Sequence, residues 1–285
     1  MKISELRSEY HAEVCQKVLR IRKTKSGSYP NIADSGSKSS KAIAWGLFEK
    51  IGCEKNFDKL DGQTAGNLFE QLTKNFIEQA FNRLHHLRPG EWEYNVESTI
   101  SGFEQYRHLE YLEDVIGDDK TLSSALGMSY IVKPDIVVSR KTVSDSEINR
   151  GEIILDEMDD AAKLTPFRKR NQKEVAPLLH ASISCKYTIR SDRAQNTRTE
   201  ALNLIRNRKG QLPHIMAVTA EPLPGRIAAL ALGTGDLDCV YHFALDELKK
   251  AIVDISNEDQ LEMLEMMIEG KRLRDISDLP FDLAS

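Results

Sequence analysis

The chain has 285 residues, 39 Lys and Arg against 44 Asp and Glu, a formal net charge of -5 and 40% apolar residues. These are globular values, with enough chain to bury a core without metal or disulfide staples, and they exclude a disordered or fibrous protein. No apolar run approaches the roughly 18 to 20 residues a membrane helix needs, and the N-terminal MKISELRSEYHAEV lacks the apolar centre of an export signal, so a cytoplasmic protein with no membrane partner is expected.

Residues 3–20 alternate apolar and charged positions at helical spacing, and the Ser/Gly/Lys-rich stretch 23–41 reads as a long loop. Helices are predicted over 42–53 and 64–87, where Leu68, Phe69, Leu72, Phe76, Ala80 and Leu84 recur three or four apart, with Gly62 and Gln63 at the entrance of the second. An amphipathic stretch at 103–116 precedes YIVKPDIVVSR (130–140), a strand or strand pair broken at Pro134. The polar region 141–176 reads as an insertion with a short strand near 152–155. The clearest strand is 178–189, whose alternation puts Ser182, Ser184 and Lys186 on one face and Ile183, Cys185 and Tyr187 on the other.

Ser191 or Asp192 is placed to cap a helix running to about Arg208, ended by Gly210 and Pro213. Strands are predicted at 214–220, 227–232 and 238–243 and helices at 245–254 and 258–269. The order implies an α/β fold, a central mixed β-sheet flanked by helices, built as one domain over 1–285 with its first 60 residues least defined. Cys15, Cys53, Cys185 and Cys239 form no C-x-x-C pair, so neither a zinc site nor a disulfide framework is expected and a reducing compartment follows.

Charge is unevenly spread. Residues 168–209 hold eleven Lys/Arg and three Asp/Glu, a local charge of +8 that leaves -13 for the rest. A basic block in an acidic chain suits a polyanion, because each neutralised phosphate releases condensed counterions, although eleven cations on two elements could equally face water.

Within and beside this block lie residues with a shared chemistry. Asp135 follows Pro134, Ser184 and Lys186 share a strand face, Glu200 is on the next helix, and Glu70 is early in the 64–87 helix. Phosphodiester hydrolysis needs hard oxygen ligands for one or two divalent cations, which bridge the scissile phosphate and lower the pKa of the attacking water. Asp135, Glu200 and Glu70 could supply those ligands, and Lys186 could touch the same phosphate or water. Taken singly, each has a plain structural reading: a turn Asp, a snorkelling Lys, a solvent-facing Glu. Together, Pro-Asp in one strand and S-x-K ending another is a nuclease spacing.

Pro134-Asp135, Ser184-Cys185-Lys186 and Glu200 fourteen residues on resemble the PD…S-x-K…E variant of the PD-(D/E)-x-K nucleases. The wording of GQTAGNLFE (62–70), KPDIVVSR (133–140), HASISCKYTIRSDRAQNTRTEALNLIRNRKGQLPHI (180–215), VTAEPLPGRIAALALGTGDLDCVYHFAL (218–245) and GKRLRDISDLPFDLA (270–284) is similar to the NgoMIV-type restriction endonucleases. The resemblance implies a PD-(D/E)-x-K restriction-endonuclease-like fold and a type II enzyme cutting double-stranded DNA at GCCGGC or a related CCGG-centred palindrome, with Mg²⁺, two ions per active site. It assigns Asp135, Lys186 and Glu200 to the catalytic and metal positions, Ser184 to the substituted acidic position and Glu70 to an additional acidic position. It also implies a homo-oligomer, at least a dimer and in this group often a tetramer, and a companion DNA methyltransferase.

Arg190 and Arg193 flank Asp192 at a helix start. The arginines could donate to guanine O6 and N7 while Asp192 accepts from cytosine N4, or Asp192 could simply cap the helix while the arginines hold phosphates. The family's R-x-D-R reader of CCGG implies base contacts. By the same resemblance Arg226 reads the outer G, and Asp34 and Gln63 touch the minor groove. Arg206, Arg208 and Lys209 have no such match. The competing readings are a sequence-nonspecific repair or recombination nuclease of this fold and a catalytically inactive DNA-binding module.

Overall fold

The computed structural model describes residues 1–25, 27–118, 132–156, 160–169, 175–233 and 235–285, without the side chains of 112, 113, 116–118 and 191–193. Helix α1 (Ile3–Lys17) leads into a hairpin of β1 (Ile21–Thr24) and β2 (Gly27–Pro30), then α2 (Lys38–Ile51) and α3 (Gly62–Asn82). Strand β3 (Trp92–Val96), two 3-10 turns (Ile100–Gly102 and Glu104–Tyr106) and α4 (His108–Asp118) precede β4 (Ile136–Arg140). Next come β5 (Val143–Ser144), the single turn α5 (Asp145–Ile148), β6 (Arg168–Lys169) and the long β7 (Leu178–Lys186). The chain continues through α6 (Ser191–Asn207), β8 (His214–Thr219), α7 (Pro224–Ala231), β9 (Cys239–His242), α8 (Leu245–Asp254), α9 (Glu258–Glu269), β10 (Leu273–Asp275) and α10 (Leu279–Ala284).

Six strands form the central sheet in the order β10-β9-β8-β7-β4-β3. The four from β10 to β7 run parallel, whereas β4 and β3 add antiparallel at the other edge. This is the mixed sheet with flanking helices that the sequence predicts. Strand β7 is central, and Ala181 through Cys185 are all buried, as expected of a strand covered on both faces. The register of β4 against β7 shifts between Val138 and Ser139, and the buried Gln105 amide fills in there, donating to Leu179 C=O at 2.7 Å and accepting from its N–H at 2.9 Å.

Helix α3 stops at Asn82 rather than 87, so Leu84 of the predicted stripe falls beyond it; Leu68 is only partly buried, and Ile77 and Phe81 join the buried face. Phe69, Leu72, Phe76, Ile77, Ala80 and Phe81 face inward, and Phe69 lies 5.4 Å from the Tyr187 ring and 6.1 Å from that of Phe243. Helix α2 crosses α8 closely enough that a Cβ at Gly46 would fall 2.9 Å from that of Ala251, so this crossing requires glycine. Arg7 ties α1 to the far edge of the fold, with Nε to Asp275 at 2.8 Å and Nη1 to Glu247 at 2.9 Å. These carboxylates raise the Arg7 pKa despite its burial. Among the described residues no helix is long and apolar enough to cross a membrane.

Several expectations are corrected. The stretch 227–232 is not a strand but most of α7: Pro224 starts a helix, and Ile227, Leu230 and Ala231 are buried at helical spacing in a run too short for its period to decide. The 23–41 loop contains most of the β1–β2 hairpin and the start of α2. No strand forms at 152–155; the small parallel β5–β6 pair holds that region, and buried Arg168 is spent on Asp145 through two bonds of 2.5 and 2.8 Å, which removes it from any basic face. Helix α6 begins at Ser191, so its N-cap is Arg190 rather than Ser191 or Asp192. Its end does follow the expectation, with Gly210 at φ +85°. Cys15 and Cys53 form a disulfide, which their spacing does not reveal: Cys15, in α1, meets Cys53, just past α2, with Cα atoms 5.1 Å apart. The premise of unpaired cysteines behind the reducing-compartment expectation therefore fails. Strands β3 and β10 and helix α10 were not foreseen.

His242 ends β9 fully buried, its Nδ1 accepting the Ala244 N–H at 3.2 Å, and burial pushes its pKa down to about 4 from 6.5. The unfolded chain takes up a proton near 6.5 that the folded one refuses until about 4, so this group's contribution is complete above 6.5 and is lost as pH falls through that window. Urea unfolding of the wild type and His242→Gln should therefore show a stability gap that narrows by about 1 kcal/mol per pH unit between pH 6.5 and 5. A gap independent of pH would show that His242 is free to protonate in the fold.

Candidate active site

The site is built where β4 begins and β7 ends. Ile136 pairs with Ile183 in the antiparallel register, which brings Asp135, one residue before β4, opposite Ser184. Pro134 keeps the approach out of the ladder because it has no N–H to donate. Asp135 Oδ2 then accepts from the Cys185 N–H at 2.6 Å, from Lys186 Nζ at 2.7 Å and from Ser184 Oγ at 3.4 Å. Three consecutive residues of one strand converge on one oxygen.

Helix α6 is docked on this group through Thr197, whose Oγ1 is 3.3 Å from Ser184 Oγ. Ala194, Thr197, Ala201 and Leu204 form its buried stripe, and Glu200, one turn after Thr197, is half-buried beside the site. On the opposite flank, α3 is anchored by Phe69 against Tyr187, which brings Glu70 into the same field.

Electrostatics link the five residues. Burial first, then repulsion from Asp135 and Glu97, pushes the Glu70 carboxyl up to about 7, with Lys186 pulling the other way. Glu200 is raised by burial, opposed by Lys186 and assisted by Asp135. Burial works against the Lys186 charge, yet Asp135 and Glu200 outweigh it and hold the ammonium above its ordinary value. Cys185 is buried and its thiol pKa is pushed far up, so it offers no nucleophile. Three carboxyl groups whose charges repel, two of them driven toward the protonated form, are the hard-oxygen donors that a divalent cation would neutralise. They are not preassembled: among the described residues no three acidic, His or Cys side chains form a group that could hold a metal ion.

A second polar group begins four residues beyond Lys186. Asp34, Arg190 and Arg226 line a cavity of about 290 Å³ together with Asn31 and Tyr187. Arg226 Nη2 donates to Asp34 Oδ2, and the Asp34 pKa is lowered by the Gly36 N–H and by both arginines. Tyr187 Oη donates to Asn31 Oδ1 at 2.8 Å, and Asn31 Nδ2 donates to Val18 C=O at 3.0 Å, which fixes the hairpin against the end of β7.

The structure thus unites Asp135, Ser184 and Lys186, with Glu70 and Glu200 electrostatically coupled to them, and separately unites Asp34, Arg190 and Arg226. It does not bring Gln63 into that cavity; Gln63 is exposed in the first turn of α3, its backbone N–H capped by Asp61 at 3.0 Å. The side chains of Asp192 and Arg193 lie outside the described residues. Sequence reasoning missed Thr197 and Glu97. Glu97 follows β3 at φ +53°, and its N–H bonds Asp135 C=O at 3.3 Å, a contact that only the unforeseen strand could have indicated.

The chain is similar to several known proteins. The profile of the NgoMIV restriction enzyme family matches residues 10–285. The chain is 49% identical over 259 residues to the type II restriction enzyme NgoMIV of Neisseria gonorrhoeae, covering 88% of each chain. Among solved structures it is similar to the type IIF restriction endonuclease Bse634I with cognate DNA, at 14% identity, 88% and 97% coverage and a TM-score of 0.37. It is also similar to the restriction endonuclease PspGI in a substrate DNA complex, at 14% identity, 99% and 92% coverage and a TM-score of 0.31. The match along nearly the whole chain, together with the Asp135–Ser184–Lys186 junction, shows that this protein belongs to the NgoMIV family of type II restriction endonucleases.

Proposed function

We propose that this restriction endonuclease hydrolyses both strands of DNA at GCCGGC, or a closely related CCGG-centred palindrome, by Mg²⁺-dependent attack of water without a covalent intermediate. The observation that carries the reading is the convergence of Ser184, the Cys185 amide and Lys186 on Asp135, with Glu70 and Glu200 in the same field. Asp135 and Glu200, with Glu70 as a further acidic group, would hold two Mg²⁺ ions; when bound, these supply the positive charge that polarises the scissile phosphate and acidifies water. Lys186 orients the phosphate or the water and is itself fixed by Asp135. Ser184 stands where related sites carry an acid and links Asp135 to α6. Glu70, raised to about 7 by burial and by Asp135 and Glu97, adds to the excess of carboxyl groups that would favour a bound cation.

Recognition rests on Asp34, Arg190 and Arg226 of the second group together with Asp192, Arg193 and Gln63, which the resemblance adds. Arg190, Asp192 and Arg193 read the central CCGG, Arg226 the outer G·C pair, and Asp34 and Gln63 the minor groove. Arg206, Arg208 and Lys209 are exposed at or beyond the end of α6 and suit phosphate contacts. A palindrome read by identical surfaces requires at least a dimer, and two dimers forming a tetramer is the assembly proposed. One core runs from Leu6 to Leu283, which supports residues 1–285 acting as a single endonuclease domain. The cytoplasmic setting, beside a methyltransferase that protects host DNA, is supported by the family's action on DNA and not by the cysteines.

Digestion of a sequenced plasmid by the purified protein should give discrete fragments with ends at GCCGGC only when Mg²⁺ is present. A smear would mean a nonspecific nuclease, and binding without cutting an inactive module.

Lys186→Ala should abolish cleavage while specific binding in a gel-shift assay persists; near-wild-type cutting would remove Lys186 from the chemistry. Arg193→Ala should cost about 1–3 kcal/mol of base discrimination. An equal loss on target and random duplexes would make Arg193 a phosphate contact instead.

A further inference from the structure

Among the described residues Glu221 is the one fully buried carboxylate near the recognition cavity, and nothing in the chemistry above uses it. It lies two residues past β8, where its own N–H bonds Thr219 Oγ1 at 3.1 Å. Its two oxygens serve different parts of the chain. Oε2 accepts the N–H of Ile189 at 2.9 Å, and Oε1 accepts the N–H of Leu223 at 3.3 Å. Ile189 immediately precedes Arg190. Leu223 is the N-cap of α7, three residues before Arg226.

The second side of the same junction closes through Arg226, whose Nη1 reaches Ile189 C=O at 3.5 Å. The Ile189 residue is thus held at its N–H by Glu221 and at its carbonyl by Arg226. Pro222 and Pro224 flank Leu223 and restrict φ on either side, so the offset between Glu221 and Arg226 is stiff. Burying a carboxylate to satisfy two backbone N–H groups is expensive where an amide or an apolar residue would be cheaper for packing alone. What the carboxylate does that those cannot is to present a separate acceptor oxygen to each of two N–H groups 34 residues apart, Ile189 and Leu223.

Resting on the recognition reading given above, we propose that Glu221 is a positioning residue for base recognition: its carboxylate holds the Arg190 and Arg226 segments at one separation, so that both arginines address the same G·C half-site. It touches no base itself. Reading two base pairs with two guanidinium forks demands placement within a fraction of an ångström, and a shared buried acceptor transmits any shift of one loop to the other.

The test compares full-length wild type, E221Q, R226A and the double variant, using Mg²⁺-dependent cleavage of oligoduplexes carrying GCCGGC or a site changed at its outer base pair. Thermal melting confirms that each variant folds. Glutamine keeps the volume but turns one acceptor into a donor facing an N–H. E221Q should lose roughly tenfold in the kcat/KM ratio between the two duplexes, while its single-turnover rate on saturating GCCGGC stays within about threefold of wild type. In the R226A background E221Q should add less than about twofold, because it acts through the same arginine. Unchanged discrimination in E221Q, or full additivity with R226A, overturns the proposal. Should E221Q not fold, E221D, which keeps both oxygens but withdraws them by one methylene, carries the same expectations. A wild type that does not discriminate at all overturns the recognition reading itself, whereas a discriminating wild type with an equally discriminating E221Q overturns only the role of Glu221.

Discussion

One oxygen organises the candidate active site of this molecule. Asp135 Oδ2 receives a backbone N–H, an ammonium and a hydroxyl from three successive residues of β7, and that is possible only because β4 and β7 pair in a single register. A slip of one residue would turn Ser184 and Lys186 to the other face of the sheet. The remaining parts are fitted to this junction: α6 through Thr197 on Ser184, α3 through Phe69 on Tyr187, and the hairpin through Asn31 on Tyr187.

The charge distribution at the site is deliberately unbalanced. One ammonium faces Asp135, Glu70 and Glu200, and Glu97 adds to the negative field felt by Glu70. Burial raises the cost of that excess, and the protein meets it by shifting Glu70 and Glu200 toward their neutral forms. Such a site gains from any positive charge that arrives. The basic block of 168–209 works at a different range: Arg168 is withdrawn from it by Asp145, whereas Arg190, Arg206, Arg208 and Lys209 remain exposed around α6.

Much of the central sheet and of the site was legible in the sequence because the chemistry there is local. Pro-Asp, S-x-K and the helical Glu200 lie on or beside well-marked elements: β7 and α3 announced themselves by period, and α6 by its polar start and its Gly210 and Pro213 stop. The misread parts depend on distant partners. Ile227 to Leu232 is apolar enough for a strand and became helical because Pro224 starts a turn and no neighbour pairs with it. Strand β3 exists by virtue of β4, and β10 by virtue of β9; neither has a period long enough to read alone. The Cys15–Cys53 bond joins residues 38 apart, and the two N–H groups that Glu221 accepts, Ile189 and Leu223, lie 34 residues apart.

The Arg226–Asp34 ion pair carries a consequence for how quickly and how long DNA is held. A guanidinium already neutralised by a neighbour projects little field into solution, so it adds little to the speed of encounter with a duplex. If Arg226 engages a guanine, that contact replaces an internal bond rather than filling an empty one, and a wrong base offers nothing to trade. Its weight then falls on the lifetime of complexes already formed, lengthening residence on the matching sequence while leaving the search for it to the exposed cations.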